Sequence, residues 1–203
     1  MKIKIEITES PEKIPNIIFL MDKSGSMQSI KNDTIGGFNS FVDKQKGQGG
    51  AAHLNVILFD TVTSTYYKGD VSAVPNMTTL SYSPDGMTAL YDAIGKSLKE
   101  YAHYKKALVV ILTDGAENSS SKYDRDRILS MIREKENNGW QFLYLGANQD
   151  AFTESAHIGI SRDCTRSFDA TPIGINAVFG DISVITSSYR NGSLTTNTIE
   201  GSI

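Results

Sequence analysis

Residues 107–113 (ALVVILT) place the tightest constraint on what this chain can become. Six apolar residues run unbroken and then meet a hydroxyl, Thr113, and an acid, Asp114. The run is far shorter than the roughly 20 apolar residues that a helix needs to cross a bilayer. Without the alternation of a half-exposed strand, it reads as a strand buried on both faces, at the centre of a parallel sheet covered by helices.

The flanking sequence supplies the partners. Residues 17–21, 54–60 (LNVILFD) and 140–145 (WQFLYL) read as further buried strands. Residues 61–68 (TVTSTYYK) are β-branched and aromatic and read as a hairpin partner of the second strand. Residues 162–168 are a weaker, polar edge strand. Between them lie amphipathic helical patterns. One runs over 29–46 with Ile30, Ile35, Phe38, Phe41 and Val42. A second opens at Thr88 with Leu90, Ile94, Leu98 and Tyr101. Two more cover 124–138 and 150–158. The last follows Thr171-Pro172, a hydroxyl N-cap and then proline at the first helical position, and carries Ile175, Val178, Phe179, Ile182 and Ile185. Gly36-Gly37 weakens the first helix unless something packs closely there. The mostly polar connection over 69–86 has the length of a functional loop.

This order predicts an α/β fold. We expect a three-layer, Rossmann-like open sheet, mostly parallel with one antiparallel edge strand, and helices on both faces. The 203 residues suit one domain over 14–190, preceded by an N-terminal edge segment, 1–13, and followed by a polar tail, 191–203. In such sheets ligands sit outside the carboxyl ends of the strands, where the strand order reverses.

Composition narrows the function. A net charge of −3 provides no basic excess to follow a phosphate backbone, so nucleic acid is not the expected partner. No run is long enough to span a membrane, and MKIKIEITES lacks the apolar core of a signal peptide. The single Cys164 forms no internal disulfide and is read as a small, partly buried side chain. Both features point to a cytoplasmic location. His53, His103 and His157 are scattered, without zinc-binding spacing.

Three oxygen-rich loops share the expected ligand edge: Asp22-Lys23-Ser24-Gly25-Ser26, Gly86-Met87-Thr88 and Thr113-Asp114-Gly115. The alternate spacing of Asp22, Ser24 and Ser26 allows them to face one side of an extended turn. Hard oxygen donors without sulfur or imidazole suit Mg²⁺, with Mn²⁺ or Ca²⁺ as alternatives. Two carboxylates balance a divalent charge, and the neutral hydroxyls leave the ion electrophilic. A magnesium ion held this way keeps a position for an outside group, and an acidic side chain of a partner is the natural occupant.

At these residues the chain resembles a von Willebrand factor type A domain, of the intracellular type found in bacteria and phage. Asp22-x-Ser24-x-Ser26, Thr88 in GMTALYDAI and Asp114 in LTDGAEN are similar to that family's metal-ion-dependent adhesion site, and the resemblance covers residues 14–190. It implies direct metal contacts from Ser24 and Ser26, a direct contact from Thr88 in the ligand-ready state, and water-mediated roles for Asp22 and Asp114. It also implies a binding module, not an enzyme, that captures a Glu or Asp carboxylate of a partner protein during assembly of an intracellular complex. The oligomeric state is not set by these features; a monomer is compatible with them.

Other readings compete. Ser26 or Ser29 alone would serve as a helix cap. A Mg²⁺-dependent phosphatase or phosphotransferase would use Asp22 as nucleophile, but Ser occupies position 24, where an acid is expected. A third reading is a structural domain with a stabilising metal. Asp92 reads as packing or first-turn electrostatics, and Asp60 as a turn residue or a support of the site. Glu117 and Asn118 read as a rim or a solvated loop. Met27, Met87, Tyr82 and Tyr91 are either an apolar rim or anchors on the core. The glycine run at 47–50 ends a helix and lacks phosphate-loop spacing.

Overall fold

A computed structural model describes residues 14–147 and 151–193. The N-terminal edge segment 1–13, the tail from 194 onward and Asp150 at the start of a predicted helix lie outside these residues.

Six strands form one sheet: β1 (Asn16–Asp22), β2 (His53–Phe59), β3 (Thr63–Asp70), β4 (Leu108–Thr113), β5 (Gln141–Ala147) and β6 (Thr165–Phe168). Their spatial order is β3-β2-β1-β4-β5-β6. All neighbours pair in parallel except β3, which runs antiparallel to β2 on the edge. This is the expected doubly wound sheet. Residues 107–113 supply the fully buried β4, as their apolar run requires.

Strand alternation divides the core in two. Ile17, Phe19 and Met21 of β1 face a layer built by α1 (Lys31–Gly47) and α5 (Pro172–Arg190). Ile18 and Leu20 face the opposite layer, built by α2 (Leu90–Glu100), α3 (Arg125–Asn137) and the short α4 (Ala151–His157). Gly36 and Gly37 differ in their surroundings. A Cβ on Gly37 would stand 2.2 Å from the Phe179 ring of α5, whereas one on Gly36 would meet nothing within 4 Å. Gly37 is therefore the close contact that makes a glycine useful inside α1.

Several boundaries depart from the sequence expectation. The first helix opens as a 3-10 turn over Gly25–Ile30, and neither Ser26 nor Ser29 caps α1, whose N-cap Ile30 has no side-chain hydrogen bond. The hairpin turn consumes Asp60, Thr61 and Val62, because Asp60 Oδ1 accepts from the Val62 N–H at 2.8 Å; β3 consequently starts at Thr63. Residues Arg162–Cys164 form a 3-10 turn, leaving only four residues for β6. Thr171 does cap α5, accepting from Gly174 N–H at 3.1 Å. The connection between β3 and α2 is packed. Val74, Met77 and Tyr82 are buried along it, and Asn39 of α1 bonds both main-chain groups of Met77, at 2.7 and 3.0 Å.

Candidate metal centre

The strand order reverses at β1. The chain passes from β1 to β2 on one side and later to β4 on the other, which makes the carboxyl ends of β1 and β4 the switch point. Asp22 is the last residue of β1, and Asp114 follows the last residue of β4. The parallel register pairs Met21 with Leu112, so the next residues along, Asp22 and Thr113, stand side by side.

Asp22 is fully buried. Its Oδ1 accepts from Ser24 N–H and its Oδ2 from the Thr113 hydroxyl, each at 2.6 Å. Its main-chain carbonyl accepts from the Tyr82 hydroxyl at 2.6 Å. Burial pushes the Asp22 carboxyl up to about 6, outweighing the hydrogen bonds from Thr113 and Ser24 that favour its charge; the Asp114 carboxylate raises it further. Burial likewise raises the Asp114 carboxyl, opposed by the Ser26 hydroxyl bonded to it.

Above Asp22 the hydroxyls converge. Ser24 Oγ and Ser26 Oγ lie 3.1 Å apart, and Ser26 Oγ donates to Asp114 Oδ1 at 2.6 Å. Thr88 is buried two residues before α2 begins, not inside the helix. Gly115 shows that its hydroxyl reaches the same place. A Cβ on that glycine would stand 3.3 Å from Thr88 Oγ1 and 3.8 Å from Ser26 Oγ. All three loops thus meet around one small space bordered by two carboxylates and three hydroxyls. Among the described residues no group of three His, Cys, Asp or Glu converges, and this centre is of a different make. Its uncompensated carboxylates and hard oxygen donors fit a divalent cation of the magnesium or calcium type.

Main-chain bonds hold the loops together. Gly25 N–H donates to Gly86 O at 3.1 Å and Asp85 N–H to Lys23 O at 2.9 Å. Thr88 and Asn118 are doubly joined: Thr88 N–H donates to Asn118 Oδ1 at 2.8 Å, and Asn118 N–H donates to Thr88 O at 3.0 Å. Asn118 is thus a clamp on the Thr88 loop. Glu117 accepts from the N–H groups of Tyr91, Ser119 and Ser120 and from the Ser120 hydroxyl. Asp92 accepts from the N–H groups of Ser121, Lys122 and Tyr123, which fixes the loop after Asp114 onto α2. Asp60 pairs with Lys23. Of the four apolar flanking residues, Met27 and Tyr82 are core anchors, Tyr91 is half-buried, and Met87 is exposed.

The sequence singled out Asp22, Ser24, Ser26, Thr88 and Asp114, and the fold brings all five together. It left unassigned the roles of Thr113 and Lys23, left Tyr82 between an apolar rim and a core anchor, and left Asn118 between a rim and a solvated loop. Thr113 carried a signal, since it ends an apolar run exactly as Asp22 does. The others depend on side chains meeting across 30 residues or more.

No family model matches the sequence, and no curated protein matches it. Its fold does match solved structures. The von Willebrand factor domain of the type V pili tip protein Mfa5 from Porphyromonas gingivalis superposes with a TM-score of 0.68 at 11% identity, covering 90% of this chain and 97% of that one. A von Willebrand factor type A structure from Catenulispora acidiphila gives 0.61 at 13% identity, over 86% of this chain and 43% of that one. The manganese-loaded TRAP protein of Plasmodium vivax gives 0.57 at 17% identity, over 84% and 72%. This chain spans less than half the length of several similar structures. The architecture is therefore that of a doubly wound α/β domain, with the candidate centre at its switch point. More narrowly, it is the von Willebrand factor type A fold. No helix among the described residues is long and apolar enough to cross a membrane.

Proposed function

We propose that this chain is a metal-dependent protein-binding module acting in assembly of a cytoplasmic complex. Ser24, Ser26 and Thr88 would hold a Mg²⁺ ion, or Mn²⁺ or Ca²⁺, directly, with Asp22 and Asp114 orienting its shell. The observation that carries this reading is the convergence of these hydroxyls and Asp114 over the buried Asp22. The manganese in the similarly folded TRAP structure supports a divalent ion. When bound, the ion supplies a Lewis-acidic position for a Glu or Asp carboxylate of a partner protein.

The chain's own groups suit binding better than turnover. Both oxygens of Asp22 accept a hydrogen bond, from Ser24 N–H and from the Thr113 hydroxyl, which ties the carboxylate to its own loop and to the end of β4. Ser24 stands where a phosphoryl-transfer nucleophile would have an acid two residues on. Asp22 instead orients the Ser24 loop, and its buried negative charge favours a cation.

Calorimetric titration with Mg²⁺, followed by affinity purification of wild type and Asp114→Ala in Mg²⁺ and in EDTA, tests the proposal. Expected are saturable Mg²⁺ binding and partners recovered only by wild type in Mg²⁺. Equal recovery under all conditions would overturn it, as would metal-dependent hydrolysis of a generic phosphoester lost in Asp22→Asn.

A further inference from the structure

Lys23 occupies the position between Asp22 and Ser24, within the metal loop itself. Its ammonium does not point into open solvent. It pairs with the Asp60 carboxylate at the tip of the β2–β3 hairpin, and the two side chains are only 18% and 11% exposed. By charge alone, a cation at this place opposes binding of a second cation nearby. A centre that keeps one there has another use for it.

The hydrogen bonds around the pair indicate that use. Asp60 and Thr61 hold the main chain on both sides of Thr88. Met87 N–H donates to Thr61 Oγ1 at 3.0 Å, and Ala89 N–H donates to Asp60 O at 2.9 Å. Asp60 also organises the turn, taking the Val62 N–H on its Oδ1 and donating its own N–H to Val62 O at 3.1 Å. Lys23 N–H donates to Phe59 O at 2.7 Å. Residue 23 is thus bound to the end of β2 by its main chain and to the following residue by its side chain. The chain of contacts runs from the Asp22–Ser26 loop, through Lys23 and Asp60, to the two peptides that flank Thr88.

We propose that Lys23 is a positioning residue of the metal centre. Its pairing with Asp60 locks the 60–61 turn, and that turn holds the Thr88 hydroxyl at the distance from Ser24 and Ser26 that the ion requires. The proposal rests on the metal-binding reading above. It differs from a purely electrostatic role in sign: removing the charge tightens cation binding if charge dominates and weakens it if positioning dominates.

Mg²⁺ titration of wild type, Lys23→Met, Thr88→Ala and the double variant separates these cases, with melting in EDTA confirming that each folds. Methionine keeps the length and apolar stem of lysine. Lys23→Met is expected to weaken Mg²⁺ binding about tenfold, the scale for residues that orient metal ligands. In the Thr88→Ala background the same change should cost less than about twofold, because coupled residues are not additive. Unchanged or tighter binding in Lys23→Met overturns the proposal, as does a loss of equal size in both backgrounds. If Lys23→Met does not fold, Asp60→Asn breaks the pair from the other side while keeping an acceptor for Val62 N–H, and the same Thr88-dependent loss is required of it. Absence of Mg²⁺ binding to wild type removes the metal reading and this proposal together, whereas binding unaffected by Lys23 removes this proposal alone.

Discussion

Thr113 Oγ1 donates to Asp22 Oδ2 across 2.6 Å, joining the ends of the two central strands beneath the candidate metal centre. The same hydroxyl accepts from Gly115 N–H at 3.2 Å. One side chain therefore orients the buried carboxylate and shapes the loop that carries Asp114. The bond favours the charged form of Asp22, yet burial still wins and raises its carboxyl to about 6.

This sets a pH dependence. A carboxyl raised in the folded state from its ordinary 3.8 to about 6 favours folding while protonated. Its contribution is fully present below about pH 4 and is lost as pH rises through 6. That gap corresponds to about 3 kcal/mol. A divalent cation offsets the loss by stabilising the charged carboxylate. The rise in melting temperature on adding Mg²⁺ should accordingly be larger at pH 7.5 than at pH 5, measured against EDTA controls. A larger rise at the lower pH would contradict the assignment of Asp22 to the site.

Asn118 should matter beyond its exposed position. Asn118→Ala removes the acceptor for Thr88 N–H, leaving a polar group of a buried residue without its partner, at a cost of about 1–2 kcal/mol. Asn118→Asp keeps an acceptor oxygen and should retain most of the stability. Thermal denaturation of both variants, with hydrogen exchange at the Thr88 amide, checks this. Equal loss in the two would mean that the hydrogen bond is not what Asn118 contributes.

The adjacent glycines of α1 should respond with opposite signs. Gly36→Ala meets open space and should stabilise by up to about 1 kcal/mol through helix propensity. Gly37→Ala drives a methyl into the Phe179 ring and should destabilise by about 1–3 kcal/mol, as overpacking does. Urea denaturation midpoints of the two variants decide the matter.

The interior of this protein was legible because its central strands are buried on both faces. Residues 17–21, 54–60 and 107–113 carry apolar runs that stop where the chain leaves the core, so Asp22 and Asp114 mark strand ends in the letters alone. Edges were harder to read. The boundaries of β3 and β6 moved because polar edge residues satisfy turns as readily as ladders: Asp60 bonds to Val62 N–H, and residues 162–164 wind into a 3-10 turn.

What the sequence alone carried is the sheet, its helical layers and the acids Asp22 and Asp114 at two strand ends, since apolar periodicity and strand ends are local; Ser24, Ser26 and Thr88 joined them as candidates through the family resemblance. The tertiary structure decided how those residues are held. Thr113 meets Asp22, Asn118 meets Thr88 and Lys23 meets Asp60 only because β4 lies against β1 and the loop after β2 lies against the loops that carry Ser24 and Thr88. Such contacts span 91, 30 and 37 residues of chain. They are set by strand order and loop closure, which no local pattern encodes.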